Sequence, residues 1–298
     1  MSMGQLGEFG LIEYLRKKIR LDNSVIEGSG DDCAVIRFRK DTYLLYTCDM
    51  IVEGVDFLST DKPELIGQKA LSISLSDIAA CGGIPRYAVV AMGFPKKTAL
   101  SRIKKVSAGL LRGAKEYRVN VVGGDISCAP VLTIDVSVIG VVKKDNLVLR
   151  KGARVGDVIF ITGSIGGSIQ GKHLTFSPRI KEARFLTRHF HVHAMIDVSD
   201  GLAQDLGHIL TQSKVGARIY QESIPLRNAA VSVEEALQSG EEFELIFTLN
   251  KIEANRLIAL KRPIFHAIGE ITDKKSGLRL VDKKNRIKRI SSPGFRHF

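Results

Sequence analysis

The chain has 298 residues, 44% of them hydrophobic, which suffices for one large domain or two ordinary ones, each with its own core. Its formal net charge of +12 attracts anions (nucleic acid, a membrane surface or phosphorylated metabolites) without choosing among them. The four cysteines, Cys33, Cys48, Cys81 and Cys128, form no C-x-x-C pair, which excludes an obvious zinc site or disulfide framework and fits a reducing compartment. The first residues lack the pattern of a signal peptide, and no apolar run approaches the roughly 18 residues of a membrane span. The expectation is a soluble cytoplasmic protein.

Gly7 to Lys18 is expected to form a short amphipathic helix, with Phe9, Ile12, Leu15 and Ile19 on one side. Gly28-Ser29-Gly30-Asp31-Asp32 is an acidic loop before a strand over 33–38, and a second strand over 43–47 ends at Cys48-Asp49. Pro63 opens a helix that runs to about Ala80 and is stopped by Gly82-Gly83. Ile66, Ala70 and Ile73 share one face of it, and Asp77 continues the stripe. A carboxylate there faces the core at the unfavourable end of the helix dipole, a conflict that a bound cation removes.

Residues 98–117 read as another amphipathic helix, with Lys104, Lys105, Arg112 and Lys115 as its solvated face. A buried strand over 119–122 runs into Gly123-Gly124-Asp125, and 131–142 alternates as a long strand with Thr133, Asp135 and Ser137 on its polar side. A turn at Lys143-Lys144-Asp145-Asn146 leads to a second half, giving domains 1–148 and 149–298. In that half, 157–162 is a strand followed by Gly163-Ser164-Ile165-Gly166-Gly167-Ser168, which lacks the spacing of a P-loop. Further strands are expected at 217–220, 245–247 and 264–268, with helices at 233–238 and 252–260 and a basic tail over 274–289. Alternating strands and helices in both halves define an α/β or α+β protein.

The second half is organised by Ala194-Met195-Ile196-Asp197-Val198-Ser199-Asp200-Gly201-Leu202. An apolar strand ends in Asp-x-Ser-Asp-Gly, and a helix follows with Leu202, Leu206, Ile209 and Leu210 on one face. Ser199 or Asp200 can serve as its N-cap. Carboxylates next to apolar segments recur at Asp32, Asp49, Asp77 and Asp125. Together with Asp197 and Asp200 they form a set of hard oxygen ligands without soft partners, which favours Mg²⁺. Like charges brought together would raise each other's pKa unless cations lay among them. Several cations between carboxylates and a polyphosphate are the arrangement of phosphoryl transfer. His189, His191 and His193 alternate, but they have no carboxylate or cysteine at matching spacing and read as a half-exposed strand edge. The basic tail lacks interleaved aromatics and reads as a solvated face.

In their order along the chain, these motifs resemble the thiamine-monophosphate kinases, within the superfamily of aminoimidazole ribonucleotide synthetase and selenophosphate synthetase. The resemblance is carried by Gly7-Glu8-Phe9, Gly28-Ser29-Gly30-Asp31-Asp32-Cys33-Ala34, Leu75-Ser76-Asp77-Ile78-Ala79-Ala80, Gly123-Gly124-Asp125, Thr162-Gly163, Ser177-Pro178-Arg179, the Asp197 to Leu202 element, Gly240-Glu241-Glu242-Phe243-Glu244-Leu245 and Gly294-Phe295-Arg296-His297-Phe298. It implies a two-domain aminoimidazole ribonucleotide synthetase-like fold, with N-terminal sheets pairing across a homodimer. It also implies direct, Mg²⁺-dependent transfer of the γ-phosphoryl group of ATP to thiamine monophosphate, giving thiamine diphosphate. The acceptor is an anionic phosphate oxygen, so no protein nucleophile or general base is required.

Carried over by position, the resemblance implies metal ligands at Asp32, Thr47, Cys48, Asp49, Asp77, Asp125, Asp197 and Asp200. It implies nucleotide contacts at Gly124, Asp125, Arg150 and Ser199, and acceptor contacts at Asp56, Glu241 and Ser292. Cys48 stands where the family usually has Thr, Asp56 where a His often follows the Gly, and Ser292 where an aromatic is common. The segment between Gly171 and Ser177 is shorter than usual. Two alternatives are a selenophosphate synthetase-like or hydrogenase-maturation member, which would carry a reactive N-terminal or C-terminal Cys, and a basic nucleic-acid-binding protein. The expectation includes neither nucleic acid nor membrane as a partner.

Overall fold

The computed structural model describes residues 3–227 and 232–290. Helix α1 (Met3–Arg16) is broken at Gly7, where φ is +68°. It is followed by β1 (Val25–Glu27), β2 (Ala34–Arg39), β3 (Thr42–Val52), α2 (Pro63–Ala80), β4 (Ile84–Phe94), α3 (Leu100–Tyr117), β5 (Asn120–Cys128) and β6 (Thr133–Lys143). The six strands make one sheet in the order β1-β2-β3-β6-β4-β5. Its centre is the antiparallel β3–β6 ladder, which runs from the Thr42–Lys143 pair to the Val52–Thr133 pair.

Alternation along these strands gives the sheet two unlike faces. Leu45, Ile51, Ala88, Val90, Ile134, Val136 and Val138 are buried on the face that α2 and α3 cover. Tyr46, Met50, Tyr87, Val89 and Ile139 point the other way and are exposed. The helices cross at very close range. A Cβ on Gly67 would lie 1.9 Å from the Val106 carbonyl oxygen, and one on Gly109 would lie 1.8 Å from that of Glu64. Only glycine at both positions permits this backbone approach.

The second half contains β7 (Val158–Thr162), α4 (Lys172–Thr175), α5 (Ile180–His189), β8 (Ala194–Asp197), α6 (Leu202–Ser213), β9 (Gly216–Tyr220), α7 (Val233–Gln238), β10 (Leu245–Leu249), α8 (Lys251–Ala259), β11 (Phe265–Thr272), β12 (Leu278–Val281) and β13 (Ile287–Arg289). Its seven strands run in the order β13-β12-β9-β11-β7-β10-β8. One face buries Ile159, Ile161, Ile196 and Ile246 with Leu202, Leu206 and Ile209 of α6. The other contributes Phe160, Met195, Leu245 and Phe247 to a core continuous with that of the first half. Helix α2 lies between the two sheets and is buried on nearly every side, from Ile66 to Ala80. This explains why its sequence is so weakly amphipathic.

Several elements differ from the sequence-based expectation. Strand β3 continues past Asp49 to Val52, and β5 runs through Gly123, Gly124 and Asp125. Both carboxylates are therefore within strands rather than beyond them. Strand β4 and helix α5 were not expected. The approach to β4, Gly82-Gly83, and its second residue, Pro85, look like a loop locally, but pairing with β6 on one side and β5 on the other holds residues 84–94 as a strand. The His189–His193 run is not a strand edge. His189 ends α5, and His193 is buried with its Nδ1 2.8 Å from Asp157 Oδ2. The basic tail forms the β12–β13 hairpin. Among the described residues, no helix is long and apolar enough to cross a membrane.

Candidate active site

The two halves meet over a group of carboxylates, of which Asp32 and Asp197 are buried and Asp49 and Asp77 half-buried. Asp32 follows the glycine loop before β2, Asp49 lies on β3, Asp77 is in the last turn of α2, and Asp197 ends β8. Oxygen atoms of Asp32, Asp77 and Asp197 all lie within 4.8 Å of one another. Neighbouring side chains orient them. Thr47 Oγ1 donates to Asp77 Oδ2, Ser74 Oγ donates to Asp49 Oδ2 at 2.7 Å, and Ser76 Oγ donates to Asp197 Oδ2 at 2.5 Å. Ser74 and Ser76 are two residues apart in α2, so one helix serves the acids of two different sheets.

Electrostatics follow from this crowding. Burial, reinforced by the other carboxylates, holds Asp77 well above the usual range and pushes Asp197 up to about 8. Asp49 is raised chiefly by burial, and Asp32 is raised by burial despite a facing guanidinium. That guanidinium belongs to Arg150, whose Nε and Nη2 donate to Asp32 Oδ1 at 3.1 and 2.6 Å. The adjoining Asp31 accepts the Arg150 backbone N–H at 3.0 Å and, through burial and the Asp32 charge, is pushed up to about 7. Asp32 Oδ2 is buried with no hydrogen-bond partner. This unpartnered carboxylate oxygen, with the carboxylates of Asp77 and Asp197 close by, fits a hard divalent cation, and the Cys81 thiol also lies near Asp31 and Asp32.

Beside this group is a cleft of about 500 Å³, lined by Asp49, Asp56, Ser199, Asp200, Glu241 and Phe243, among others. Asp56 closes the turn after β3, with Oδ2 accepting the Val52 N–H at 2.7 Å. The helix after Asp197 is capped differently from the expectation. Neither Ser199 nor Asp200 is its N-cap; Gly201 is, at φ +126°, and Asp205 in the first turn accepts the N–H groups of Asp200 and Gly201 at 3.0 Å each. Asp200 Oδ2 instead accepts from Gln204 Nε2 at 2.6 Å. Glu241 sits opposite, with φ +58° and its N–H on the Ser199 carbonyl at 2.6 Å. Its loop is fastened by a buried network in which Lys172 Nζ donates to Glu242 and Glu244 at 2.9 Å each, and Arg179 is bidentate on Glu244.

Of the positions singled out in the sequence, Asp32, Thr47, Asp49, Asp77, Asp197 and Arg150 come together, and Ser199, Asp200, Asp56 and Glu241 line the adjoining cleft. Asp125 and Gly124 do not join them within one chain. Asp125 is exposed on β5, an edge strand three strands from β3, or roughly 14 Å away at ordinary strand spacing. It shares a row with Ala91 and Asp135 on the open face. The Cys48 side chain lies on that same face, with Sγ 3.1 Å from Asp135 Oδ2, so its thiol points away from the buried acids. The alternation of β3 dictates this: Thr47 and Asp49 face α2, and Cys48 cannot. The β2–β3 ladder ends at the Ala34–Tyr46 pair, so residues 47–52 present a backbone edge that β2 does not cover. Gly124 admits no side chain, because a Cβ would lie 1.8 Å from the Val90 carbonyl oxygen. A second, apolar recess of about 630 Å³ opens beside it, between Val90, Met92, Leu110, Leu111 and Ile126. Ser292 lies outside the described residues. Asp31, Lys69, Ser74, Ser76 and Asp135 were not singled out in the sequence. A lysine and three alternating serines, Ser72, Ser74 and Ser76, among the apolar residues of α2 were the available signal.

Comparison with known proteins agrees with this architecture. Residues 30–142 match the AIR synthase related protein, N-terminal domain, and residues 154–281 match the corresponding C-terminal domain. The thiamine-monophosphate kinase of Buchnera aphidicola subsp. Schizaphis graminum is 34% identical, covering 99% of each chain, and that of Rhodopirellula baltica is 38% identical, covering 83% of each. The solved structure of AaThiL complexed with AMPPCP and TMP superposes with a TM-score of 0.88 at 29% identity, covering 100% of this chain and 99% of that one. The fold is thus the two-domain fold of the AIR synthase-related class. Within that class, the chain belongs to the thiamine-monophosphate kinase family.

Proposed function

We propose that this protein is an ATP-dependent kinase that phosphorylates thiamine monophosphate to thiamine diphosphate, using several Mg²⁺ ions. The observation that carries the proposal is the buried to half-buried group Asp32, Asp49, Asp77 and Asp197, with Asp32 Oδ2 unpartnered, opening on a cleft walled by Asp56, Asp200 and Glu241. The relative solved with AMPPCP and TMP supports it. Thr47, Asp49, Asp77, Asp32, Asp197 and Asp200 are proposed to hold the ions, with the Cys48 position contributing through its backbone rather than its thiol. When bound, Mg²⁺ would neutralise and align the two anionic phosphates for in-line transfer.

The chain's own residues do the rest. Ser74, Ser76 and Thr47 fix the carboxylates' orientation before substrate enters. Ser199 and Arg150 are proposed to contact the nucleotide phosphates, and Gly124 and Asp125 its far end, with the apolar recess beside them suited to a flat base. Glu241 and Asp56 place negative charge where the cationic thiazolium ring would sit. The bond from the γ-phosphorus to the leaving oxygen of ADP breaks as that to the acceptor phosphate oxygen forms. No side chain has to remove a proton.

We further propose a homodimer built on the open face of the first sheet, with residues 1–148 as the nucleotide-binding and dimerisation domain and 149–298 as the second domain. An exposed row of Tyr46, Ile139 and Tyr87, adjacent across three strands, supports this. The decisive experiment incubates purified protein with ATP, Mg²⁺ and thiamine monophosphate and separates the products by chromatography. ADP and thiamine diphosphate should appear in equal amounts and only when all three are present. ADP release indifferent to thiamine monophosphate would refute the proposal.

A further inference from the structure

Helix α2 carries one cation that the chemistry above does not use. Lys69 is 1% exposed, and its side chain is wholly shut from solvent. A buried ammonium persists only where acceptors meet its N–H groups. Lys69 Nζ donates to the backbone carbonyl of Asp56 at 2.6 Å and to Glu241 Oε1. Asp56 belongs to the turn after β3, and Glu241 to the loop before β10. They come from different halves of the chain and line the same cleft. Lys69 therefore ties two walls of that cleft together from beneath.

Glu241 needs such a tie. It is a non-glycine residue at φ +58°, its side chain is 26% exposed, and Asp49, Asp56 and Asp200 share the lining with it. Without a nearby cation, repulsion and solvation would both draw its carboxylate away from the wall. The lysine occupies Oε1, and Oε2 has no partner among the described residues. One oxygen is thereby anchored and the other is left to the cleft.

We propose that Lys69 is a positioning residue for the acceptor. It holds the Glu241 carboxylate at the cleft wall, facing the cationic ring of the phosphate acceptor, and sets the distance between the Asp56 turn and the Glu241 loop. This rests on Glu241 being an acceptor contact, as proposed above. Lys69 itself touches neither substrate.

The test is steady-state kinetics with thiamine monophosphate and ATP varied separately, in Glu241→Gln, Lys69→Met, Lys69→Arg and the Lys69→Met/Glu241→Gln pair. Lys69→Met should raise KM for thiamine monophosphate about tenfold or more, with KM for ATP held within about twofold. Lys69→Arg should fall between Lys69→Met and the unmodified protein. In the double variant the two effects should be clearly less than additive, because the lysine acts in large part through the glutamate. Lys69→Gln, which keeps a donor for the Asp56 carbonyl, replaces Lys69→Met if that variant does not fold. A Lys69 effect that strikes both KM values alike, or that adds in full to Glu241→Gln, would make the lysine merely structural and overturn the inference. Should Glu241→Gln leave the acceptor KM unchanged, the assignment of Glu241 itself fails, which is a separate and distinguishable result.

Discussion

At Asp77 the proposed function and the stability of the fold pull in opposite directions. Its carboxyl is held well above the usual carboxylate range by burial and by Asp49, Asp197 and Asp32, and the Thr47 hydroxyl on β3 helps to keep it in place. Asp77→Asn removes a carboxyl group that, without metal, must either stay charged among like charges or take up a proton to fold. The metal-free variant should melt a few degrees higher than the unmodified protein, while its kinase activity falls about a hundredfold or more. Differential scanning fluorimetry without Mg²⁺, paired with the product assay, checks both signs. A fall in both would mean that Asp77 is structural. The group as a whole also sets a pH dependence. Asp31 and Asp197 titrate near 7 and 8 in the folded chain against an ordinary value of 3.8, so the folded state binds the extra protons. Their contribution is complete below about pH 4 and is lost as pH climbs through 7 to 8. The metal-free protein should therefore lose thermal stability progressively from about pH 4 to about pH 8, with no further loss from these two groups above that, and Mg²⁺ with nucleotide should flatten the slope by taking the protons' place. A level metal-free profile over that interval would contradict the assignment. At this scale much could be read beforehand. Asp32, Asp77 and Asp197 stood out because each adjoins an apolar segment. Lys69 did not, because a lysine in a helix is ordinarily read as solvated. Asp135 was legible only as the polar side of a strand.

Helix α2 is the element on which both halves depend. Its sides are occupied by the first sheet, α3 and the second half, and its serines reach Asp49 and Asp197. Its start at Pro63 and its length could be read from proline, glycine and apolar spacing. That it is central rather than amphipathic could not, because burial on every side is a property of the assembled layers. The same limit explains β4 and α5, whose local sequences are ambiguous until their neighbours form. Gly67→Ala tests how tight the α2–α3 crossing is. The added methyl would collide with the Val106 carbonyl, so the helices must separate, at a cost of about 2 kcal/mol or more. A urea unfolding curve should show a lower midpoint with an unchanged slope. An unaltered midpoint would mean that the crossing has room to relax.

At the scale of the whole molecule, the open face of the first sheet leaves Tyr46, Met50, Tyr87, Val89 and Ile139 exposed. Ile139 lies at the centre of its aromatic row, between Tyr46 and Tyr87. Ile139→Arg should convert the proposed dimer to a monomer without unfolding it, read as a halved mass by light scattering with an unchanged circular dichroism spectrum. A mass that stays at one chain in the unmodified protein would dispose of the dimer. The α/β character of both halves could be read from the alternation of elements, whereas the separation of Asp125 from the acids around Asp32 could not. Which strand lies beside which is decided by long-range pairing. The glycine-rich turn carrying Asp31 and Asp32 is fastened across the molecule by the Arg150 main chain and side chain and by Gln212 on the Gly30 carbonyl. Its freedom is thus surrendered when the polypeptide folds, long before any nucleotide arrives. Ligand capture then begins from a rigid mouth, and none of its affinity is spent on bringing that turn to rest.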